Sequence, residues 1–215
     1  MGKELLPKFI RDNYVVEERR HACAILKEDF PKHWEEIIEV LTNFTLKESQ
    51  ITVGGGSKSS VASSFDEPFS QLGWVEKKFI IESKIDGEII KSETHKLDCF
   101  KAGVGLEIEW NNKDTFFDRD LEKFRLLFDS NNTISVGVII TRSKDLQQHI
   151  FNPLGIGKKY GASTTHLGKL LPKLDTGGGG GCPILVFGIK SSLYEPDVTG
   201  VIPIPIPKGT RTKRK

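Results

Sequence analysis

Three cysteines in 215 residues are too few, and too far apart, to build a cross-linked fold. Cys23, Cys99 and Cys182 are odd in number and form no C-x-x-C pair, which argues against a disulfide framework and a zinc site alike. The expectation is a reduced, cytoplasmic setting, with Cys99 and Cys182 packed as small apolar core residues. Long apolar runs are missing too. No stretch approaches the ~18 residues of a membrane span, so no membrane partner is expected. The opening MGKELLPKFIRDNYVVEERR is charged throughout and lacks the apolar region of a secretory signal. Leu6 stands where a myristoylation signal needs Ser or Thr. No G-x-S-x-G elbow is present, and His149 and His166 are not spaced as a metal or triad pair. The five glycines 177–181 have no following Gly-Lys-Ser/Thr, which argues against a phosphate loop and leaves a hinge or linker.

What is present is an ordinary globular balance, 37% apolar and 28% charged. The length suits one domain over 1–215: a helical part at 1–75, a core at 76–190 and an extended basic tail at 191–215. The net charge of +2 hides an asymmetry. Residues 142–215 hold 12 Lys and Arg against four Asp and Glu, leaving 19 against 25 for residues 1–141. The last third is a candidate polyanion surface, although a solvated basic face has the same signature.

Residues 31–44 predict a helix with Trp34, Ile37, Ile38 and Leu41 as one stripe and Asp29 as its cap. Residues 47–63 read as a loop, and 64–72 as a short helix ended by Gly73. Alternation around Asp86-Gly87 predicts a hairpin over 78–93. Strands follow at 95–100 and 104–110, then a helix over 114–128 capped by Asp114, with Phe117, Leu121, Phe124 and Phe128 in phase. Residues 133–141 and 183–189 read as buried strands on either side of a helix over 164–174. This order implies an α/β fold with a mixed central sheet flanked by helices.

The chemistry-bearing stretch is LDCFKAGVGLEIEW, residues 97–110. Asp98 sits on one strand, a turn at Gly103 reverses the chain, and Glu107 and Glu109 share one face of the next strand. Three converging carboxylates repel one another and call for a cation or shifted pKa values. Hard oxygens with room for water and phosphate suit Mg²⁺, which supports phosphodiester hydrolysis. The competing account is a plain strand with glutamates on its wet face.

The pattern D-x₈-E-x-E on adjoining strands, followed by an amphipathic helix and a buried strand, resembles the PD-(D/E)xK nuclease core. More narrowly it resembles type II restriction endonucleases of the BglII and BstYI kind. The segments PKHWEEIIEVL, QLGW (residues 71–74), CPILVFGI and the basic end share in the resemblance. It implies Asp98 and Glu107 as Mg²⁺ ligands. Glu109 stands where the superfamily usually carries Lys, with a role as water-binding group or general base. Glu67 is the candidate for a supporting fourth group, or else a dipole-favoured glutamate at a helix start. Double-stranded DNA and a homodimer are the implied partners, on a short palindrome with GATC at its centre. A cognate methyltransferase is expected functionally, not as a bound partner.

Such an enzyme also needs a grip on DNA. Candidates are Lys158 and Lys159 for phosphates, and Ser163, Thr164, Thr165 and His166 at a helix N-terminus facing phosphates or base edges. Ser163 or Thr164 as a plain helix cap is the alternative. The tail 211–215 would add salt-sensitive affinity. Phe116, Leu126 and Leu127 exceed what one helix face needs and suit either a dimer interface or the core. A repair nuclease on the same core, or a non-catalytic DNA binder, are the other functions to be separated.

Overall fold

The computed structural model describes residues 2–53, 59–130 and 133–197. The basic tail 211–215 lies outside them. A short helix α1 (Lys8–Asn13) leads into strand β1 (Tyr14–Arg19), then helices α2 (Ala22–Asp29) and α3 (Pro31–Asn43). Strand β2 (Leu46–Lys47), helices α4 (Glu48–Thr52) and α5 (Ser60–Gln71) and strand β3 (Val75–Lys77) follow. The hairpin is β4 (Ile80–Ile85) with β5 (Glu88–Glu93). The remainder runs β6 (Leu97–Lys101), β7 (Val104–Glu109), α6 (Phe116–Asp129), β8 (Val136–Arg142), α7 (Leu167–Asp175), β9 (Ile184–Ile189) and β10 (Tyr194–Glu195).

Six strands form one mixed sheet in the order β1-β9-β8-β7-β6-β3. The central β7, β8 and β9 are parallel, and β1, β6 and β3 are antiparallel to their neighbours. The central three are buried along their whole length because helices cover both faces. On one face Leu106, Ile108, Val138, Ile140 and Phe187 pack with α2, α3 and α5. On the other, Ile139, Ile184 and Val186 meet Phe117, Leu121 and Phe124 of α6 and Leu170 and Leu174 of α7.

Two glycines set how closely α6 lies on the sheet. Gly105 and Gly137 are register partners on β7 and β8, and both sit under the Phe124 ring. A Cβ on Gly137 would fall 2.6 Å from that ring. The close approach brings the polar residues of α6 against β7.

The segments that carried the resemblance meet here. Trp74 Nε1 donates to Glu36 of α3 at 2.8 Å, and Lys101 on β6 pairs with the same carboxylate at 2.6 Å. Several expectations change. Residues 14–19, read only as charged, form an edge strand of the main sheet. Helix α5 begins at Ser60, with Ser59 accepting from Ala62 N, so the expected loop is partly helical. Helix α3 takes Phe30, not Asp29, as its boundary residue, with Pro31 in the first turn. Asp114 does not cap α6 through its side chain, which pairs with Lys169 at 3.3 Å. The glycines 177–181 are no linker. They make a packed turn in which Gly177, Gly179 and Gly180 have positive φ and the chain presses on Leu121, Arg125 and Phe128. The hairpin β4–β5 forms, but as a separate two-stranded sheet with Ile80, Ile85, Ile89 and Ile90 exposed.

Candidate active site

Strands β6 and β7 are joined by a tight turn in which Ala102 and Gly103 both have positive φ. The resulting register, Cys99 opposite Leu106, places Asp98 beside Glu107. Asp98 N donates to Glu107 Oε2 at 3.3 Å, and Ile108 N donates to Asp98 Oδ2 at 2.9 Å. Glu109 follows on the same face of β7, where Asn112 Nδ2 donates to its Oε2 at 2.9 Å. The three acids expected from the sequence are therefore neighbours at one sheet margin.

Helix α6 adds residues that the sequence reading passed over. Lys123, 3% exposed, pairs with Glu107 Oε1 and donates to Lys96 O at 2.7 Å. Asp120 is wholly buried, 3.4 Å from Lys123 and 3.5 Å from Arg119. Arg119 reaches Glu109 Oε1 at 3.8 Å and rests over the Phe116 ring. The signal was available: Asp120 and Lys123 fall inside the arc of buried Phe117, Leu121, Phe124 and Leu127. Charges inside an apolar arc are costly unless they meet partners.

Burial dominates the electrostatics. It lifts the Asp98 carboxyl above its usual range, against the pull of the Ile108 amide. It lifts Glu107 further, with Asp120 adding to the rise and Lys123 opposing it. Glu109 is pushed up to about 9 by burial and then by Asp120.

Access differs among the three. Asp98 and Glu109 line a cavity of about 510 Å³, with Asp66, Glu76, Arg119 and Lys159 on its walls. Asp98 also faces a cavity of about 570 Å³ with Asp66 and Glu67, and one of about 500 Å³ with Lys96 and Arg119. Glu107, 1% exposed, lies behind Asp98. Helix α5 thus turns Asp66 to both of the first two cavities and the expected Glu67 to only one of them.

The expected DNA segment is fastened to this site. Asp114 N donates to Ser163 O at 3.0 Å and Thr165 N to Asn112 O at 2.8 Å, just beyond Glu109. Thr165 is wholly buried, its hydroxyl accepting from Asn112 N at 3.2 Å. Thr164 accepts from Arg142 at 2.6 Å. Lys159 donates to the carbonyls of Ile51 and Val53 and is half-buried. Lys158 and Ser163 are exposed, and His166 is partly so. Helix α7 starts at Leu167, so neither Ser163 nor Thr164 is its cap.

A comparison with protein families matches residues 14–189 to the family described as restriction endonuclease BglII/BglIII. The chain belongs to that family. No curated protein matches the chain. As a restriction endonuclease family member it is a hydrolase acting on DNA, and its mixed six-stranded sheet agrees with a restriction-endonuclease-like fold. No helix among the described residues is long and apolar enough to cross a membrane.

The endonuclease family typically uses a divalent metal, and the donor set can be tested for fit. Among the described residues no three His, Cys, Asp or Glu side chains form a ready-made cage. Asp98, Glu107 and Glu109 are each tied to a neighbour instead. Their chemistry nevertheless suits a hard cation. All are carboxylates, and behind them the buried Asp120 and Glu107 Oε1 have only the ion-pair contacts of Lys123 and Arg119 to set against their charge. Charge of this kind held out of water is stabilised by a cation.

Proposed function

We propose that the protein is a type II restriction endonuclease, one domain that cuts a short palindromic site in double-stranded DNA with Mg²⁺ as a cytoplasmic homodimer. A GATC centre follows from the family resemblance. The observation that carries this reading is the cross-strand pair Asp98–Glu107 with Glu109 beside it, opening through Asp98 and Glu109 onto a cavity large enough for a phosphate.

In this mechanism Asp98 and Glu107 are the residues that would hold the ion. A bound Mg²⁺ supplies Lewis acidity toward the phosphate and makes a water more acidic. Glu109 in its ionised form orients the attacking water and takes its proton; burial and Asp120 disfavour that form in the metal-free site, and a neighbouring cation would favour it. Lys123 fixes one oxygen of Glu107, leaving Oε2 turned toward Asp98. Arg119 on the cavity wall answers charge that grows on the phosphate. Lys158, Ser163 and His166 face the DNA, while Lys159, Thr164 and Thr165 shape the loop that presents them. Phe116 and Leu126 on α6 are left half-buried for a second subunit, whereas Leu127 belongs to the core.

Digesting plasmid-length DNA with Mg²⁺ and sequencing the ends tests this reading. Discrete fragments with a common terminal sequence are expected. A smear or cuts confined to junctions would indicate a structure-directed repair nuclease, and retarded but uncut DNA a binding protein.

A further inference from the structure

Tyr160, which lines the cavity of Asp98 and Glu109, also lines another cavity of about 430 Å³, with Arg142, Lys144, Gln147, Gln148 and His166 on its wall. None of the residues lining it is acidic. Asp114, which acts on His166, pairs with Lys169 at 3.3 Å, and Asp145, next to Lys144 in the chain, accepts from Ser143 and Ser191.

Arg142 ends the central strand β8 and is 1% exposed. Its Nη2 donates to Tyr160 O at 3.2 Å and Thr164 Oγ1 at 2.6 Å, and its Nε has no partner. Among the described residues no carboxylate pairs with it. A buried guanidinium without a counter-charge is costly, and the loss is recovered when an anion arrives. Lys144 lies across the first turn of α7, where a Cβ on Gly168 would fall 1.9 Å from its Cε. Glycine at 168 is therefore what lets this cation reach the start of a nine-residue helix whose boundary residue, His166, offers no side-chain cap. Helix N-termini favour anions. His166 Nδ1 is buried and unpartnered as well. Burial, then the charges of Arg142, Lys144 and Lys169, hold this imidazole down to about 4, so it is neutral at pH 7 beside a positive field.

We propose that Arg142, Lys144 and His166 form an oxyanion site that holds one phosphate of the substrate strand, apart from the phosphate being cut. An Arg fork, a Lys point charge, an imidazole and helix amides together suit the tetrahedral oxygens of phosphate. Tyr160 walls both cavities, so a strand seated here also passes the carboxylates. The DNA source rests on the endonuclease reading; the anion site itself does not.

Two measurements on the full chain test it. In the first, a labelled duplex carrying the mapped cut site, or a generic one if no cutting is found, is titrated by anisotropy with Ca²⁺ in place of Mg²⁺ at several salt concentrations. Lys144→Ala, a change at an exposed side chain, and His166→Ala should each weaken binding about 10-fold, and Lys144→Ala should lower the salt slope by roughly one. In the second, inorganic phosphate alone is titrated while imidazole ¹⁵N shifts are followed. A saturable shift of His166, lost in Lys144→Ala and suppressed by the duplex, is expected. A phosphate shift that duplex does not compete away, with unchanged duplex affinity in the variants, would make free phosphate the ligand and overturn the DNA assignment. Unchanged duplex affinity together with no phosphate shift would overturn the site itself. If wild-type protein neither binds nor cuts DNA, the endonuclease reading fails while the phosphate titration still decides the pocket.

Discussion

At Glu109 the chain carries a second buried carboxyl on β7, where the resemblance to the PD-(D/E)xK core leads one to expect a lysine. The positive charge comes instead from α6, through Lys123 on Glu107 and Arg119 near Glu109. Residues on a helix one layer above can do this only because the helix lies close. The pair should be energetically coupled. Lys123→Met alone leaves a buried carboxyl without its cation, and Glu107→Gln alone leaves a buried ammonium without its anion. The double variant leaves neither. Urea unfolding of the four proteins should give a coupling energy of about 1–3 kcal/mol, the double variant losing less than the sum of the singles. Strict additivity would mean that the contact contributes nothing.

Among the elements, α6 shows why part of the site could be read from sequence and part could not. The three acids were legible because a strand alternates with period 2, so Glu107 and Glu109 had to share a face. Asp98 was placed by the turn chemistry of Ala102-Gly103. Asp120 and Lys123 were hidden by the ordinary rule that charges on an amphipathic helix face water, though their phase with Leu121 and Phe124 said otherwise. Asp66 and Glu67 differ by one residue, about 100° of helix rotation, which periodicity does not resolve without the packing of α5. Strand β1 was missed because its outward residues, Glu17 and Arg19 among them, mask the alternation of Tyr14 and Val16. The glycine run 177–181 looked like a linker by composition, whereas contact with α6 requires its small residues.

The same layer gives a test. Gly137→Ala places a methyl against Phe124 and should cost roughly 1–3 kcal/mol. Phe124→Leu added to it should return part of that loss, because the smaller side chain leaves room for the methyl. A neutral Gly137→Ala in thermal or urea unfolding would mean that α6 is not held as tightly as described.

For the whole molecule, burial of three carboxyls at the sheet margin is a stability cost, one the fold would carry for the proposed chemistry. Glu109 titrates near 9 in the folded chain against 4.5 in an exposed one, so the native state binds the extra proton between these values. Metal-free protein should therefore lose stability as the pH rises from about 4.5 to 9, with the protonated form giving the advantage at the acid end. Glu109→Gln should flatten that dependence and be the more stable protein at pH 8. Urea midpoints in EDTA across this range measure it. A wild-type profile that rises with pH through the window, after allowance for the rest of the chain using the Gln variant, would contradict the assignment.

Single-turnover cleavage by Glu107→Ala tests most directly whether the β6–β7 carboxylates are the cutting centre. With Mg²⁺ and excess enzyme over a labelled site, we expect the rate to fall below detection, while duplex affinity measured in Ca²⁺ stays within about threefold of wild type. Cleavage at an undiminished rate would place the chemistry elsewhere on the molecule.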